Sequence, residues 1–206
     1  MELLSEILSR VLEVGAILLI VIFQPEIRRF LILLGKSLLK GQNSILSFLV
    51  NKEVSSGMLD DSISEIMNSL ENLQSTKTGA LIVLTKDEFN PIFLNSGTEI
   101  DAKISQPLLE SIFNKYSPLH DGAMVIKNDK ILKASCILPV SKSQKLSANL
   151  GTRHRAAVGV TEDADEISII VSEENGAFSY SMNGQLSYSV DSNEILNVLK
   201  SYFGNH

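Results

Sequence analysis

Apolar residues cluster first near the amino terminus. From Val14 to Phe23 the chain carries no polar side chain, and Gln24-Pro25 closes the run. So short a run falls below the ~20 residues that cross ~30 Å of hydrocarbon. Extending it back to Leu3 supplies the length but takes in Glu6, Arg10 and Glu13, charges that a membrane tolerates near its faces and not at its centre. The next segment, Arg28-Arg29-Phe30-Leu31-Ile32-Leu33-Leu34-Gly35-Lys36, mixes basic and apolar residues as an interfacial helix does. No basic n-region with a small-residue cleavage site marks a secretory signal. The pattern predicts a membrane anchor and interfacial helix over residues 1–40, with a buried or oligomerisation helix as the alternative. Arg28, Arg29, Lys36 and Lys40 all follow the apolar run, so a single-pass anchor leaves the remaining chain in the cytoplasm.

Residues 41–55 read as a linker, loosened by Gly41, Asn43 and Ser44. Met58, Leu59, Ile63, Ile66, Met67, Leu70 and Leu73 fall at helical spacing and predict an amphipathic helix. The run Ala80 to Thr85 predicts a buried central strand. Gln106-Pro107 opens a helix to about Asn114, with the proline at a first-turn position. Strands are predicted over Ala123 to Lys127 and Lys130 to Leu138, joined at Asn128-Asp129. Residues 141 to 150 read as a loop or short helix. Ala157 to Val160 and Ile167 to Val171 read as core strands, and Asn183-Gly184 joins a hairpin of 177–182 with 185–188. A last helix runs from Ser192 to Phe203. The domain over residues 56–206 is therefore expected to be α/β, a mixed sheet flanked by helices.

At 206 residues and 44% apolar, the chain holds one well-buried domain with residues left for an anchor. A net charge of -6 argues against a nucleic-acid polymer as partner, because no general basic field exists to release counterions. A small anion needs local arginines and a bound cation instead. The single cysteine, Cys136, excludes a disulfide framework or a Cys-rich zinc site, and its apolar surroundings predict an inert buried thiol.

Two of the three histidines, His120 and His154, lie in short signatures beside an aspartate and two arginines. Asp121-Gly122 after Pro118 is either a simple turn or a place where backbone approaches a ligand. Arg153-His154-Arg155 is either a solvated loop or a phosphate clamp, since guanidinium forks suit phosphate oxygens. The apolar residues after the triplet predict that it sits at a strand edge. Ser172-Glu173-Glu174-Asn175-Gly176 is an acidic turn, or a source of metal ligands if the sheet brings it near His120 and Asp121. Together these residues fit metal-assisted chemistry at a phosphate. Walker, Rossmann, zincin and serine-hydrolase signatures are absent.

Leu119-His120-Asp121-Gly122-Ala123 and Gly151-Thr152-Arg153-His154-Arg155 resemble the motifs of the diadenylate cyclases, which condense two ATP molecules into cyclic di-AMP and release pyrophosphate. Thr78-Gly79-Ala80-Leu81-Ile82-Val83 and Val171-Ser172-Glu173-Glu174 support the resemblance, which covers about residues 56 to 190. Upstream, Ile22 to Arg29 looks like the end of the last membrane helix in the membrane-bound branch, here in the short, single-anchor form found in mycoplasmas. The resemblance implies that Asp121 activates the ribose 3′-hydroxyl, with Gly122 and Ala123 lining the ribose. It implies that His120, Asp121 and Glu174 hold a divalent metal such as Mg2+, Mn2+ or Co2+. It further implies that Thr152, Arg153, His154, Arg155 and Ser172 hold the triphosphate and that the Leu138 backbone reads the adenine edge. Each monomer would hold one ATP, and two monomers would meet face to face as a transient homodimer. Ile137 stands where many membrane-bound members carry an aromatic residue, so stacking on the base is lost. The alternative function is a non-catalytic sensor, anchored at the membrane, that binds ATP or cyclic di-AMP.

Overall fold

A computed structural model describes Arg10, residues 44–86, Phe93, and residues 96–143, 146–147, 150–162 and 164–204, with the side chains of the first helix from residue 60 onward. The chain divides into two compact units, residues 1–53 and 54–206. Among the described residues no helix is long and apolar enough to cross a membrane. The anchor and interfacial helix expected over residues 1–40 lie, Arg10 apart, outside the described residues.

Helix α1 spans Ser44–Ser75, so helical backbone begins inside the segment read as a linker. The loosening residues Gly41 and Asn43 precede its start, and no proline falls within Ser44–Ser75. The other elements follow in the order β1 (Ala80–Leu84), β2 (Thr98–Lys103), α2 (Gln106–Phe113), β3 (Ala123–Lys127), β4 (Lys130–Cys136), α3 (Thr152–Thr161), β5 (Ile167–Val171), β6 (Phe178–Met182), β7 (Gln185–Val190) and α4 (Ser192–Gly204). The strands form one mixed sheet in the order β2-β4-β3-β1-β5-β6-β7. Among the described strands only β1 and β3 pair in parallel; every other neighbouring pair is antiparallel.

Central strand β1 is buried on both faces, which is why its sequence shows no polar alternation. Ala80, Ile82 and Leu84 face a core closed by Ile66 and Leu70 of α1, Leu109 and Phe113 of α2, and Leu199 and Phe203 of α4. Leu81 and Val83 face the opposite core, which Ala157 and Val160 of α3 cover. The expected strand over Ala157 to Val160 is thus corrected to a helix. Ala157 through Thr161 are all buried, so no polar stripe gives the segment a helical period. Strand β2 went unread in the sequence. It is a half-exposed edge bearing Glu99, Asp101 and Lys103, with a register shift between Glu99 and Ala102.

Candidate active site

The sheet topology gathers the motifs at one end. Strands β1 and β3 start there, while their antiparallel neighbours β5 and β4 finish there, with Ala80 opposite Val171 and Ala123 opposite Cys136. Thr78-Gly79, His120-Asp121-Gly122, Ile137-Leu138 and Ser172-Glu173-Glu174 therefore emerge from the same edge of the sheet. The amino terminus of α3 joins them. A cavity of about 480 Å³ is lined by Asp121, Gly122 and Ala123 from one motif, by Thr152 and Arg153 from the other, and by Ile137 and Leu138. A smaller cavity of about 40 Å³ is lined by Gly151, Thr152, Arg153, His154, Ser172 and Glu174, with Tyr188 beside them. Thr152, Arg153 and Glu173 belong to both walls.

Local structure fixes the Asp121 corner. Gly122 has φ +113, and a Cβ there would lie 2.8 Å from the Cys136 carbonyl oxygen, so only glycine lets β3 start this close to β4. Ser135 Oγ donates to the Asp121 carbonyl at 2.6 Å, and the Asp121 side chain remains exposed. One residue earlier, His120 Nδ1 lies 2.7 Å from the Ser117 carbonyl oxygen. A carbonyl only accepts, so Nδ1 is the donor in this contact, which turns Nε2, the nitrogen free to meet a metal, away from Ser117.

Helix α3 places the basic triplet in its first turn rather than at a strand edge. Its Ncap is Gly151, which contributes no capping side chain, so the first-turn N–H groups and the positive end of the helix dipole suit an anion. Arg153 Nη1 donates to Glu173 Oε2, tying the helix to the acidic turn. Gly79 makes room for that pair: a Cβ there would sit 2.8 Å from Arg153 Nη1. His154 is 7% exposed, and its Nε2 has no hydrogen-bond partner among the described residues. Burial pushes its pKa below the usual histidine value, partly offset by the Glu174 carboxylate. Its ring packs on Tyr188, with centroids 5.6 Å apart. Arg155 turns elsewhere: Nη2 donates to the Ser147 carbonyl at 3.3 Å, and the side chain lines neither cavity.

Two hydrogen bonds brace the acidic turn. Ser172 Oγ accepts from Glu174 N–H at 3.3 Å, and Gly176 N–H donates to the Ser172 carbonyl at 2.9 Å. Asp121 lines the larger cavity and Glu174 the smaller, and among the described residues no three His, Cys, Asp or Glu side chains form a group that could hold a metal ion. Such donors fit a hard cation that takes one or two protein ligands and completes its shell with phosphate oxygens and water. Cys136 is buried as expected, and burial raises its thiol pKa. Glu173 and Tyr188 received no role from the sequence. Their places depend on strand register, which no local motif encodes.

Comparison with known proteins agrees with this geometry. Residues 67–186 match the family described as DAC, DisA bacterial checkpoint controller nucleotide-binding. The chain is 38% identical over 193 residues to a diadenylate cyclase of Listeria monocytogenes, covering 94% of this chain and 68% of that protein. It is 37% identical over 189 residues to the cyclic di-AMP synthase CdaA of Bacillus subtilis, covering 92% of this chain and 66% of the relative's length. A diadenylate cyclase of Mycoplasma genitalium is 36% identical over 147 residues, covering 65% of this chain and 73% of that protein. The structure of a doubly cysteine-substituted DacA from Staphylococcus aureus superimposes with a TM-score of 0.67 at 38% identity, over 70% of this chain and 96% of that one. With its motifs gathered at one edge of the shared sheet, this chain belongs to the DAC family.

Proposed function

We propose that this chain is a diadenylate cyclase that condenses two ATP into cyclic di-AMP with release of two pyrophosphates. The observation that carries the reading is the single cavity lined by both Asp121-Gly122 and Thr152-Arg153. A carboxylate that takes a proton and donors that hold phosphate must act on one substrate, and here they share a wall. Its volume, about 480 Å³, lies in the range of small-ligand sites.

In this reading one ATP occupies each chain and two chains meet face to face. The 3′-oxygen of one nucleotide forms a bond to the α-phosphorus of the other, the bond to pyrophosphate breaks, and Asp121 receives the hydroxyl proton. Repetition at the second site closes the ring. Thr152, Arg153 and the first-turn N–H groups of α3 hold phosphate oxygens, with Ser172 and His154 at the inner end. Arg153 exchanges or shares its Glu173 partner when phosphate arrives. One or two of His120, Asp121 and Glu174 would hold the divalent cation, with phosphate oxygens and water completing its shell, and the cation when bound would neutralise charge on the phosphates. Gly122 and Ala123 line the ribose, and the Leu138 backbone meets the adenine edge. Residues 1–40 anchor the protein to the cell membrane with the catalytic domain in the cytoplasm. The apolar run of 14–23 supports this, as does a TM-score of 0.59 at 43% identity to a hypothetical membrane spanning protein from Bacillus cereus.

Incubation with ATP and Mg2+, Mn2+ or Co2+, followed by mass spectrometry, tests the reading. Cyclic di-AMP and pyrophosphate in a 1:2 ratio are expected from the reaction written above. Bound ATP recovered unchanged with every cation would replace the cyclase by a sensor. The rate should rise more steeply than linearly with protein at low concentration, and strict proportionality would remove the face-to-face pair.

A further inference from the structure

Cys136 ends β4 and pairs with Ala123; beyond it the chain enters the cavity wall as Ile137 and Leu138. Exposure runs 1%, 78% and 8% over Cys136, Ile137 and Leu138, the alternation of a chain that stays extended past its ladder. A hydroxyl takes the place of the missing strand partner. Ser96 Oγ accepts from the Ile137 N–H at 3.1 Å and donates to the Ile137 carbonyl at 3.3 Å. Ser96 is itself held, because Lys133 Nζ donates to its carbonyl at 3.2 Å and to the Phe93 carbonyl at 2.9 Å. Phe93 packs in the same core as Leu138, so the two segments are joined below the wall as well as along it.

In an extended chain the backbone groups of successive residues point to opposite sides. With the Ile137 N–H and C=O turned to Ser96, those of Leu138 turn the other way. Ile137 supplies no aromatic face, so selection of the base falls more heavily on backbone hydrogen bonds, whose direction must be fixed.

We propose that Ser96 is a positioning residue for nucleobase selection: by occupying both backbone groups of Ile137, it aims those of Leu138 at the edge of the purine. The inference rests on the cyclase reading for the identity of the nucleotide. Ser96 touches no substrate atom and acts through the wall.

The test uses the full chain, with Ser96→Ala and, as the variant that keeps the hydroxyl, Ser96→Thr. Loss of modest hydrogen bonds predicts a KM for ATP raised about three- to tenfold in Ser96→Ala, with kcat within about twofold. Preference for ATP over GTP falls by a similar factor, and Ser96→Thr restores both. Calorimetry supplies a readout that needs no turnover: Ser96→Ala weakens ATP but not inorganic triphosphate, which lacks the base. Unchanged ATP affinity and selectivity overturn the proposal. So does equal weakening of ATP and triphosphate, which would mean general loosening. A wild-type protein that forms no cyclic dinucleotide defeats the cyclase reading instead, and the binding comparison still judges Ser96.

Discussion

The two ends of the central sheet treat polar groups in opposite ways. At the end away from the motifs, Thr85 Oγ1 donates to Glu166 Oε1 at 2.9 Å and the Tyr202 hydroxyl donates to the Thr85 carbonyl at 2.6 Å, all of it buried. That network ties α4 to the ends of β1 and β5. At the motif end, the Asp121 carboxylate is exposed and α3 begins without a capping side chain. Donors and acceptors left open together at one end suit a ligand that engages them. One end closes the domain; the other is left for a ligand.

Substitutions at the open end should remove activity and leave the fold. Asp121→Asn keeps shape and loses the proton acceptor, so synthesis of cyclic di-AMP should fall by about 10²- to 10⁴-fold. Its denaturation midpoint should stay near wild type because the side chain is exposed. Wild-type turnover in that variant would strip Asp121 of its role. Arg153→Gln removes a charged fork from both cavity walls, and a loss of about 10- to 100-fold in kcat/KM follows from the strength of hydrogen bonds to charged groups. Phosphate-free adenosine should bind Arg153→Gln as it binds wild type; a matching loss there would show that the arginine supports the wall rather than the phosphates.

The contrast between ends also separates what the chain discloses from what only folding reveals. Strand β1 was legible because burial on both faces demands an unbroken apolar run, and the Asn183-Gly184 hairpin because both residues adopt positive φ. Asp121 and the Thr152-Arg153 pair, which line one cavity, could be named as candidate site residues because glycine and charge mark them locally. Helix α3 was misread since a short helix buried nearly all round has no amphipathic stripe. Strand β2 escaped because glutamate, aspartate and lysine have low strand propensity, although its polar and apolar positions do alternate. Glu173, Tyr188 and Ser96 reach the site through register and long-range contact, which no window of sequence contains.

At the closed end the expected effect is smaller and of the other kind. Tyr202→Phe leaves the buried Thr85 carbonyl without its hydroxyl donor, which should lower stability by about 1–2 kcal/mol while the folded protein keeps its specific activity. Burial pushes the Tyr202 pKa up to about 12, above the ordinary value of 10.0. The unfolded chain therefore releases its proton first as pH rises. The stability this group contributes is complete below pH 10 and is lost between pH 10 and about 12. Chemical denaturation across that window should fall less steeply in Tyr202→Phe. Equal slopes would mean that the hydroxyl is not buried neutral.

His154 gives the finest test, because it sits at the open end yet is buried like a residue of the closed one. Its pKa is lowered first by burial, with Glu174 pulling it partly back up. The unfolded histidine takes up a proton near the ordinary value of 6.5, while the folded one resists, so stability should decline as pH falls below that value until the folded group also protonates. His154→Gln should remove that part of the slope. Phosphates arriving beside the ring would favour the protonated form, so ATP should raise the His154 pKa, and by linkage ATP should bind more tightly as pH falls toward it. Imidazole chemical shifts followed with and without ATP measure this directly. Glu174→Gln without ligand should lower the pKa further. A pKa indifferent to both nucleotide and Glu174 would place the ring in the core with the residues around Tyr202, and the smaller cavity would lose its claim on phosphate.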